Sequence, residues 1–297
     1  MKKIAIVLVN YNGYADTFRA ITSLSESSAN VDIIIVDNAS SNDDFSRFIK
    51  DFPKIIVLLN HENLGFAGGN NIGVKYALEH MYNYIILLNN DTIVDRNMIE
   101  ILANAADENT VTAPLMMLYD EPNIVWYGGG DINRKTGNAQ HRYMGNVKPI
   151  KLQTVECSFI SGCCMCIHHS VFKQIGLLDE SYFLYCEDTE FCLRLNQSDI
   201  KMLFVPDAVL WHKVSSSTGG DSSYLSIYYM TRNRLKYIKN YPKEFSRFAY
   251  YFTVISRIIR MIQCIFKCSK NWKAFAHGLV DGIKGVEGKV DFEKRDI

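Results

Sequence analysis

The sequence lacks several features that would assign it to a simpler class of protein. Its 297 residues carry no net charge, because 32 Lys and Arg balance 32 Asp and Glu. It contains no internal repeat, no Gly-x-Gly-x-x-Gly fingerprint and no Walker loop. With 48% hydrophobic and 22% charged residues, it is not expected to be disordered. We therefore expect a packed core in one large domain, or in one domain with an appendage.

Recognisable export signals are also missing. The apolar run at residues 4–9 is too short for a signal peptide, so we expect a cytoplasmic protein with reduced thiols. Four of the eight cysteines lie at residues 157–166, close to His168 and His169. A zinc site is one interpretation of this cluster. The apolar run around the cysteines favours the other interpretation, a buried strand.

The neutral total hides an uneven distribution of charge. Residues 232–297 contain 15 Lys and Arg against 6 Asp and Glu, and the remainder contains 17 against 26. We predict a basic amphipathic helical extension at residues 241–297, with Arg257, Arg260, Lys267 and Lys270 on one helical face. Such a face suits peripheral attachment to an anionic membrane, here the inner face. The alternative is a helix that packs on the body with its basic face in solvent.

Strand and helix patterns alternate through the first hundred residues, which predicts an α/β fold with a mostly parallel sheet. From residue 111 to 149 the pattern breaks into loops and short strands. Further strands are predicted at residues 159–167 and 202–205, and a helix at 187–196. Early strands are predicted at residues 4–9, 32–36, 54–59 and 84–88, early helices at 14–27, 43–51 and 69–80, and late helices at 224–240 and 244–267.

Polar residues follow the early strands, at the edge where α/β sheets bind ligands. Asp37 can accept the imide N–H of a pyrimidine base, and Tyr11, next to Asn10, can stack on that base. The alternative for Asp37 is an Asx turn. The glycine-rich loop at residues 63–73, which contains Asn70, can approach a nucleotide closely, although small residues can also serve helix packing.

The strongest local signal is the sequence NNDT at residues 89–92. Amides and a carboxylate at the end of a buried strand are unfavourable unless they bind something. We therefore expect Asp91 to ligate a hard divalent cation, with Asn89 beside it; a helix N-cap is the alternative. Glu187 and Asp188 enter a helix and can supply a general base, or can simply interact with the helix dipole. Taken alone, His212 is more typical of a structural histidine.

Taken in order, these motifs resemble the family 2 glycosyltransferases with the GT-A fold, and within them the rhamnosyltransferase-like branch. The resemblance spans residues 4–235. The matching stretches are residues 9–12, 36–40, 63–73, 88–92, 161–162, 178–180, 187–188 with Arg194, 211–212 and 229–235.

The resemblance implies a role for each matched residue. Asp37 would bind a pyrimidine base, Asp91 would occupy the metal position of the Asp-x-Asp motif, and Asp188 would be the catalytic base. His212 would be a second ligand for Mg²⁺ or Mn²⁺, and Arg232 or Arg234 would neutralise the donor diphosphate. Here Asn89 replaces the first Asp of the motif, so one protein carboxylate would hold the metal.

We therefore expect residues 1–240 to form an inverting glycosyltransferase domain. It would move a sugar from a UDP- or dTDP-type donor to a hydroxyl of a lipid-linked or polysaccharide acceptor in cell-surface glycan synthesis. Residues 120–145 and 183–185 would contact the acceptor, and the loop at 214–223 would close over the donor. One alternative is a sugar-nucleotide pyrophosphorylase-like enzyme, although residues 10–13 lack its basic loop. The other is a non-catalytic nucleotide-binding module; nucleic acid is not expected as a partner.

Overall fold

The computed structural model describes residues 2–214 and 223–292. The loop at residues 214–223, which was predicted to close over the donor, lies outside the described residues except for its two ends. The described strands are β1 (Ile4–Asn10), β2 (Val31–Asp37), β3 (Ile56–Leu59), β4 (Tyr84–Asn89), β5 (Thr92–Val94), β6 (Thr110–Leu118), β7 (Val125–Tyr127), β8 (Gly130–Asn133), β9 (Asn138–His141), β10 (Val155–Cys157), β11 (Cys164–His168) and β12 (Lys201–His212). The described helices are α1 (Tyr14–Ser25), α2 (Asp44–Asp51), α3 (Gly65–Glu79), α4 (Met98–Ala105), α5 (His169–Ile175), α6 (Glu187–Gln197), α7 (Tyr224–Asn240), α8 (Arg247–Phe266) and α9 (Trp272–Lys284), with a 3-10 turn at Glu180–Tyr182.

The central sheet confirms the predicted α/β class. Its strand order is β10-β12-β6-β11-β4-β1-β2-β3, with β5 added to β12 and β7 to β6. Strands β1, β2, β3 and β4 pair in parallel, as helical crossovers require. Asn10 stands opposite Asp37, and Val9 stands opposite Asn89. The polar strand ends therefore meet along one edge of the sheet.

The segment at residues 111–149 is more regular than the sequence suggests. Its first part is β6, a nine-residue strand that is almost entirely buried between β12 and β11. Loops and short strands were predicted from residue 111, and this was wrong for the long strand β6, because a strand covered on both sides needs no polar alternation. The rest contains β7, the hairpin β8–β9 and the turns around them, in agreement with the predicted short strands and loops.

Strand β12 is also longer than predicted, and its length matters for the site. It continues past a register shift between Val205 and Val209 and then pairs with β5. His212 thereby stands opposite Thr92, the residue that follows Asp91. A shift in register re-aims a strand, and here it carries a distant histidine to the strand-end carboxylate.

The glycine-rich stretch at residues 63–73 serves helix packing. A β-carbon on Gly73 would lie 2.4 Å from a methyl group of Val7 and 3.3 Å from one of Val36. Helix α3 therefore lies directly on β1 and β2, at a distance that only glycine allows. The packing interpretation of this stretch is supported here.

Three helices complete the described chain. Helix α8 buries only Ala249, Thr253 and Arg257. By length and composition alone, α8 could cross a membrane, although its mean hydropathy of 1.2 is modest. Helix α9 falls within the helical extension predicted for residues 241–297, although no separate bounds were predicted for it, and it packs against both α7 and α8. Arg257 was predicted to share one helical face with Arg260, Lys267 and Lys270, and this was wrong. Arg257 is 7% exposed, whereas the other three are exposed to solvent.

Candidate active site

A cavity of about 830 Å³ opens at the carboxyl edge of the sheet. Strand ends, the N-terminus of α6, the β8–β9 hairpin and α7 form its walls. Seven of the predicted residues line it, namely Tyr11, Asn70, Asn89, Asp91, Asp188, His212 and Arg234. A cleft of this size that collects several polar groups is a typical ligand site.

The first polar centre in the cavity is the pair Asp91 and His212. The Nε2 atom of His212 lies 3.1 Å from Oδ1 of Asp91, and both side chains are nearly buried. The amide of Asn89 lies 3.5 Å from the same imidazole nitrogen. Trp126 packs edge-on against the His212 ring at 4.5 Å. The imidazole is therefore held with one nitrogen towards the carboxylate.

These two residues fit a divalent cation that takes most of its ligands from elsewhere. In the described part of the chain, no group of three or more His, Cys, Asp or Glu side chains is arranged to hold a metal. One carboxylate and one imidazole nitrogen on the same side leave several positions for diphosphate oxygens. A carboxylate with an imidazole suits Mn²⁺, and Mg²⁺ would rely on Asp91 alone.

The second polar centre is Asp188, in the first turn of α6. Its Oδ2 accepts a hydrogen bond from the backbone N–H of Gly162 at 3.1 Å, and its Oδ1 accepts one from Thr189 N–H at 2.6 Å. Burial raises the pKa of Asp188, and these N–H donors oppose the rise. The carboxylate is thus fixed in direction at the cavity wall and is a better base than a free aspartate.

Glu187 is a residue whose role the sequence analysis left open. It is 5% exposed, and burial raises its pKa to about 8, with the Asp188 charge as a second cause. The neutral form of Glu187 is therefore favoured relative to that of a free glutamate. Two adjacent buried carboxyls whose pKa values are both raised are typical of functional sites.

A strained turn places both carboxyl groups. Phe183, Tyr185 and Cys186 all have positive φ, between 63° and 70°. Such backbone persists only where the surroundings fix it. The Asn233 amide donates to the carbonyls of Tyr182, Leu184 and Tyr185 at 2.7 to 3.0 Å. Asn233 on helix α7 therefore holds the turn in place through these hydrogen bonds.

Arg232 on α7 holds the same turn, and this corrects its predicted role in neutralising the donor diphosphate. It is fully buried and donates to the carbonyls of Tyr182 and Gly288 and to the side chain of Asn233. It does not line the cavity, so it does not fit the predicted role at the donor diphosphate. Arg234, two residues on, does line the cavity.

The turn also depends on Gly65 at the start of α3. The φ of Gly65 is +73°, and a β-carbon there would lie 2.1 Å from the Phe183 carbonyl oxygen. The N–H of Phe66 donates to that same oxygen at 2.8 Å. Residues 65 and 66 therefore join the strand-end side of the cavity to the turn that carries Asp188.

Asp37 and Asn10 lie beneath the cavity wall. Asp37 is 1% exposed; its oxygens accept from the Asn10 amide at 3.0 Å and from Ser40 N–H at 2.9 Å. Asn10 is fully buried and also contacts Asp44 and Thr17. This placement favours the Asx-turn alternative, and it does not support direct contact of either residue with a base.

Asn38 contributes more than the sequence analysis expected. Its amide donates to Asn63 and to the Gly65 carbonyl at 3.0 Å each, and its side-chain oxygen accepts from Asn60 and from Leu64 N–H. It lines the cavity and ties β2 to the start of α3. The polar turn after β2 was a visible signal, but its partners lie more than twenty residues away.

Both stretches predicted to contact the acceptor reach the cavity. Trp126, Gln140 and His141 line it from one side, and Phe183 and Tyr185 from the other. The Tyr237 hydroxyl donates to the carbonyl of Gly137, which fixes the β8–β9 hairpin against α7. These aromatic and amide groups form a wall suited to a sugar.

Comparison with protein families gives a match to the family described as glycosyl transferase family 2 over residues 5–176. The low-salt glycan biosynthesis hexosyltransferase of Haloferax volcanii is 28% identical over 96% of this chain and 92% of its own length. The N-acetylglucosaminyl-diphospho-decaprenol L-rhamnosyltransferase of Mycobacterium tuberculosis is 24% identical over 76% of this chain and 81% of its own.

A solved structure shares the architecture. The mannosyltransferase of Pyrobaculum calidifontis, in complex with GDP-mannose and Mn²⁺, superposes with a TM-score of 0.59 at 10% identity. The match covers 95% of this chain and 87% of the other. The fold is thus that of the GT-A glycosyltransferases, as the motifs indicated.

The raised pKa of Glu187 predicts a pH-dependent effect of Glu187→Gln on stability. The folded state keeps a proton that the unfolded chain loses near pH 4.5, so wild-type stability falls as pH rises from about 4.5 to about 8. Glutamine does not ionise, and the variant escapes this loss. Thermal unfolding should show a larger gain in Tm at about pH 8.5 than at about pH 5. Glu62→Gln, at an exposed position, should show no such trend. Equal gains at both pH values would contradict the assignment.

Proposed function

This chain belongs to glycosyl transferase family 2, and from that premise we propose that it is an inverting, metal-dependent enzyme. It transfers a sugar from a nucleoside diphosphate donor to a hydroxyl of a lipid-linked or polysaccharide acceptor in cell-surface glycan synthesis. The observation that carries the proposal is that Asp91, His212 and Asp188 line one cavity. The fixed carboxylate and the metal-binding pair can therefore act on the same substrate.

The donor's base lies at the strand-end side of the cavity in this proposal. Tyr11 is 42% exposed and lines the cavity together with Asn38, Asn63 and Asn70. An exposed ring offers a stacking surface, and amide groups can hydrogen-bond a pyrimidine. This favours a donor of the UDP or dTDP type.

The donor's diphosphate is assigned to the Asp91 and His212 pair. A divalent cation held there supplies positive charge that stabilises a departing diphosphate. The two side chains orient that charge, and Trp126 shields the imidazole from one side. The Pyrobaculum mannosyltransferase binds Mn²⁺ together with its nucleotide sugar, which supports the same cation here.

Asp188 takes the proton of the acceptor hydroxyl in this mechanism. Its two backbone hydrogen bonds hold the carboxylate in place, and its raised pKa strengthens it as a base. Burial also raises the pKa of Glu187, which favours the neutral form of that carboxyl beside Asp188. The oxygen then attacks the anomeric carbon from the face opposite the diphosphate, which inverts its configuration.

The two alternatives from the sequence gain no support. A pyrophosphorylase-like enzyme would use basic groups beside β1, yet among described residues the only Lys or Arg that lines the cavity is Arg234 on α7. A non-catalytic module would not need two carboxyls held in a strained turn.

We also propose that α8 and α9 attach the enzyme to an anionic membrane surface. The exposed face of α8 combines apolar side chains with Arg260, and Ile255, Ile259 and Ile262 are 43% to 57% exposed. Helix α8 contains no acidic residue, and Lys267 and Lys270 follow it in exposed positions. Apolar area beside basic charge suits the interfacial region of such a membrane. The excess of basic residues in the tail disfavours pairing of this face with a second copy.

Asp188→Asn should lower kcat by roughly a hundredfold to ten-thousandfold, because the amide cannot accept the hydroxyl proton. Calorimetric titration with donor nucleotide should show unchanged affinity. Asp199→Asn, at an exposed position after the same helix, is the matched control and should retain full activity. Near-normal turnover of Asp188→Asn would refute the base assignment.

Asp91→Ala should weaken binding of UDP or dTDP in the presence of Mn²⁺ about tenfold or more, a loss of at least about 1.4 kcal/mol. His212→Ala should have a smaller effect of the same kind, and excess chelator should reduce the wild type to the level of Asp91→Ala. Asp207→Ala, an exposed carboxylate on β12, is the control. Full activity in excess chelator would contradict metal dependence.

Vesicle co-sedimentation tests the membrane face. Wild type should pellet with phosphatidylglycerol vesicles and less with phosphatidylcholine, because each basic residue near an anionic surface contributes about 1 kcal/mol. The triple change Ile255→Glu, Ile259→Glu and Ile262→Glu should release the protein. The control is a triple variant with the same three charges elsewhere on the surface, at Ile49→Glu, Met81→Glu and Ile150→Glu. This control should still pellet with the vesicles. Sedimentation of the first triple variant at the wild-type level would refute the membrane face.

A further inference from the structure

The middle of α8 buries a charged residue that the proposed chemistry does not use. Arg257 is 7% exposed and lies on the inner side of the helix. Burial lowers its pKa to about 9, and the charges of Arg234 and Arg260 contribute further. The guanidinium groups of Arg234, Arg257 and Arg260 therefore lie close together where α7 and α8 pack, and that of Arg257 is buried.

This group has no anionic partner in the described residues. No ion pair there joins a carboxylate to Arg234, Arg257 or Arg260, and the Nε atoms of Arg234 and Arg257 have no hydrogen-bond acceptor. Both arginines lie near the Tyr237 hydroxyl, which is neutral and offsets no charge. A buried charge without a counter-ion is strongly unfavourable.

Two other arginines that face the interior of the protein are satisfied. Arg194 forms hydrogen bonds with Glu190 and with the carbonyls of Ile175 and Leu177. Arg232 binds two carbonyls and an amide oxygen. Arg234 and Arg257 differ from these two arginines because, among the described residues, their Nε atoms have no acceptor and no carboxylate pairs with them, which points to an anion that arrives from outside.

The position of the group relative to the chemistry is defined by its neighbours. Arg234 and Tyr237 line the same cavity as Asp188. Both arginines are close enough to Cys186, which precedes the two carboxyls, for their charges to affect the pKa of its thiol. The Asp91 and His212 pair is held by β4 and β12, and the arginines by α7 and α8. The arginines therefore form a cationic position held by different elements from those that hold the Asp91 and His212 pair.

The outer surface of α8 defines what else the anion would carry. Ile258, Ile259 and Ile262 are exposed within two turns of Arg257, and Arg260 lies among them. Helix α8 thus turns Arg257 inward, next to the cavity-lining Arg234, Cys186 and Tyr237, and turns hydrocarbon outward. A molecule with a phosphate group between a sugar and a hydrocarbon chain matches both sides.

We propose that Arg234 and Arg257 bind the diphosphate of a lipid-linked acceptor, with the lipid chain along the exposed face of α8. This inference rests on the proposed function, because it selects the lipid-linked acceptor over a free polysaccharide end. The acceptor sugar then extends from the arginines towards Asp188. The arginines bind substrate and take no part in proton transfer.

Thermal-shift titration of the purified full chain with three probes tests this assignment. Farnesyl diphosphate represents the acceptor's lipid diphosphate, farnesol is the same chain without phosphate, and UDP with Mn²⁺ represents the donor. With UDP and Mn²⁺ saturating, farnesyl diphosphate should still raise the Tm of the wild type, and farnesol should not. Arg257→Met and Arg234→Met should each lose at least tenfold in affinity for farnesyl diphosphate, with affinity for UDP and Mn²⁺ changed less than twofold. Arg247→Met, an exposed arginine at the start of the same helix, should match the wild type.

The possible results separate this inference from the proposed function. The inference would be overturned if Arg257→Met bound farnesyl diphosphate as tightly as the wild type does. It would also be overturned if the wild type bound UDP but did not bind farnesyl diphosphate. If the arginine variants lost affinity for UDP and for farnesyl diphosphate equally, the arginines would belong to the donor site and the inference would also be overturned. Failure of the wild type to bind any nucleotide would instead count against the proposed function. Without ligand, Arg257→Met should unfold at an equal or higher temperature; a lower one would mark Arg257 as structural and refute the inference.

Discussion

The register of β1 with its parallel neighbours is the constraint on which the site depends. Because Asn10 aligns with Asp37 and Val9 with Asn89, three strands end along one line. The residues after β4 then stand at the mouth of the sheet, and Asp91 becomes accessible there. A change of register by one residue would turn these side chains to the other face and remove the site.

A second constraint acts across a long sequence separation. Asp188 stands at the end of a turn with three positive φ angles, and the amide of Asn233 holds three carbonyls around it. Such strain needs support from the surrounding structure, which α7 and the Gly65 contact supply. The proposed base is thus placed in part by residues that lie behind the cavity wall. Arg232 likewise holds the turn in place through its hydrogen bonds to backbone carbonyls.

The sequence was sufficient to predict the features that depend on local pattern. The early strands and helices, the carboxylate after β4 and the helix that begins at Glu187 could all be predicted, because apolar periodicity and strand-end polar residues are local signals. It was not sufficient for β6, a fully buried strand without alternation, or for the direction of Arg257. A basic residue on an amphipathic helix is normally exposed, and only the packing of α7 against α8 shows that this one is inside. The roles of Asn38 and Asn233 depend on distant carbonyls and left no local signal.

The central claim is a single displacement with Asp188 as base, and the stereochemistry of the product tests it most directly. A panel of UDP- and dTDP-sugars would identify a donor, and NMR of the transferred sugar would give its anomeric configuration. The product should have the configuration opposite to that of the donor, because the acceptor oxygen attacks from the face opposite the diphosphate. A product with the donor's configuration would exclude this mechanism, since one base-assisted displacement cannot retain it.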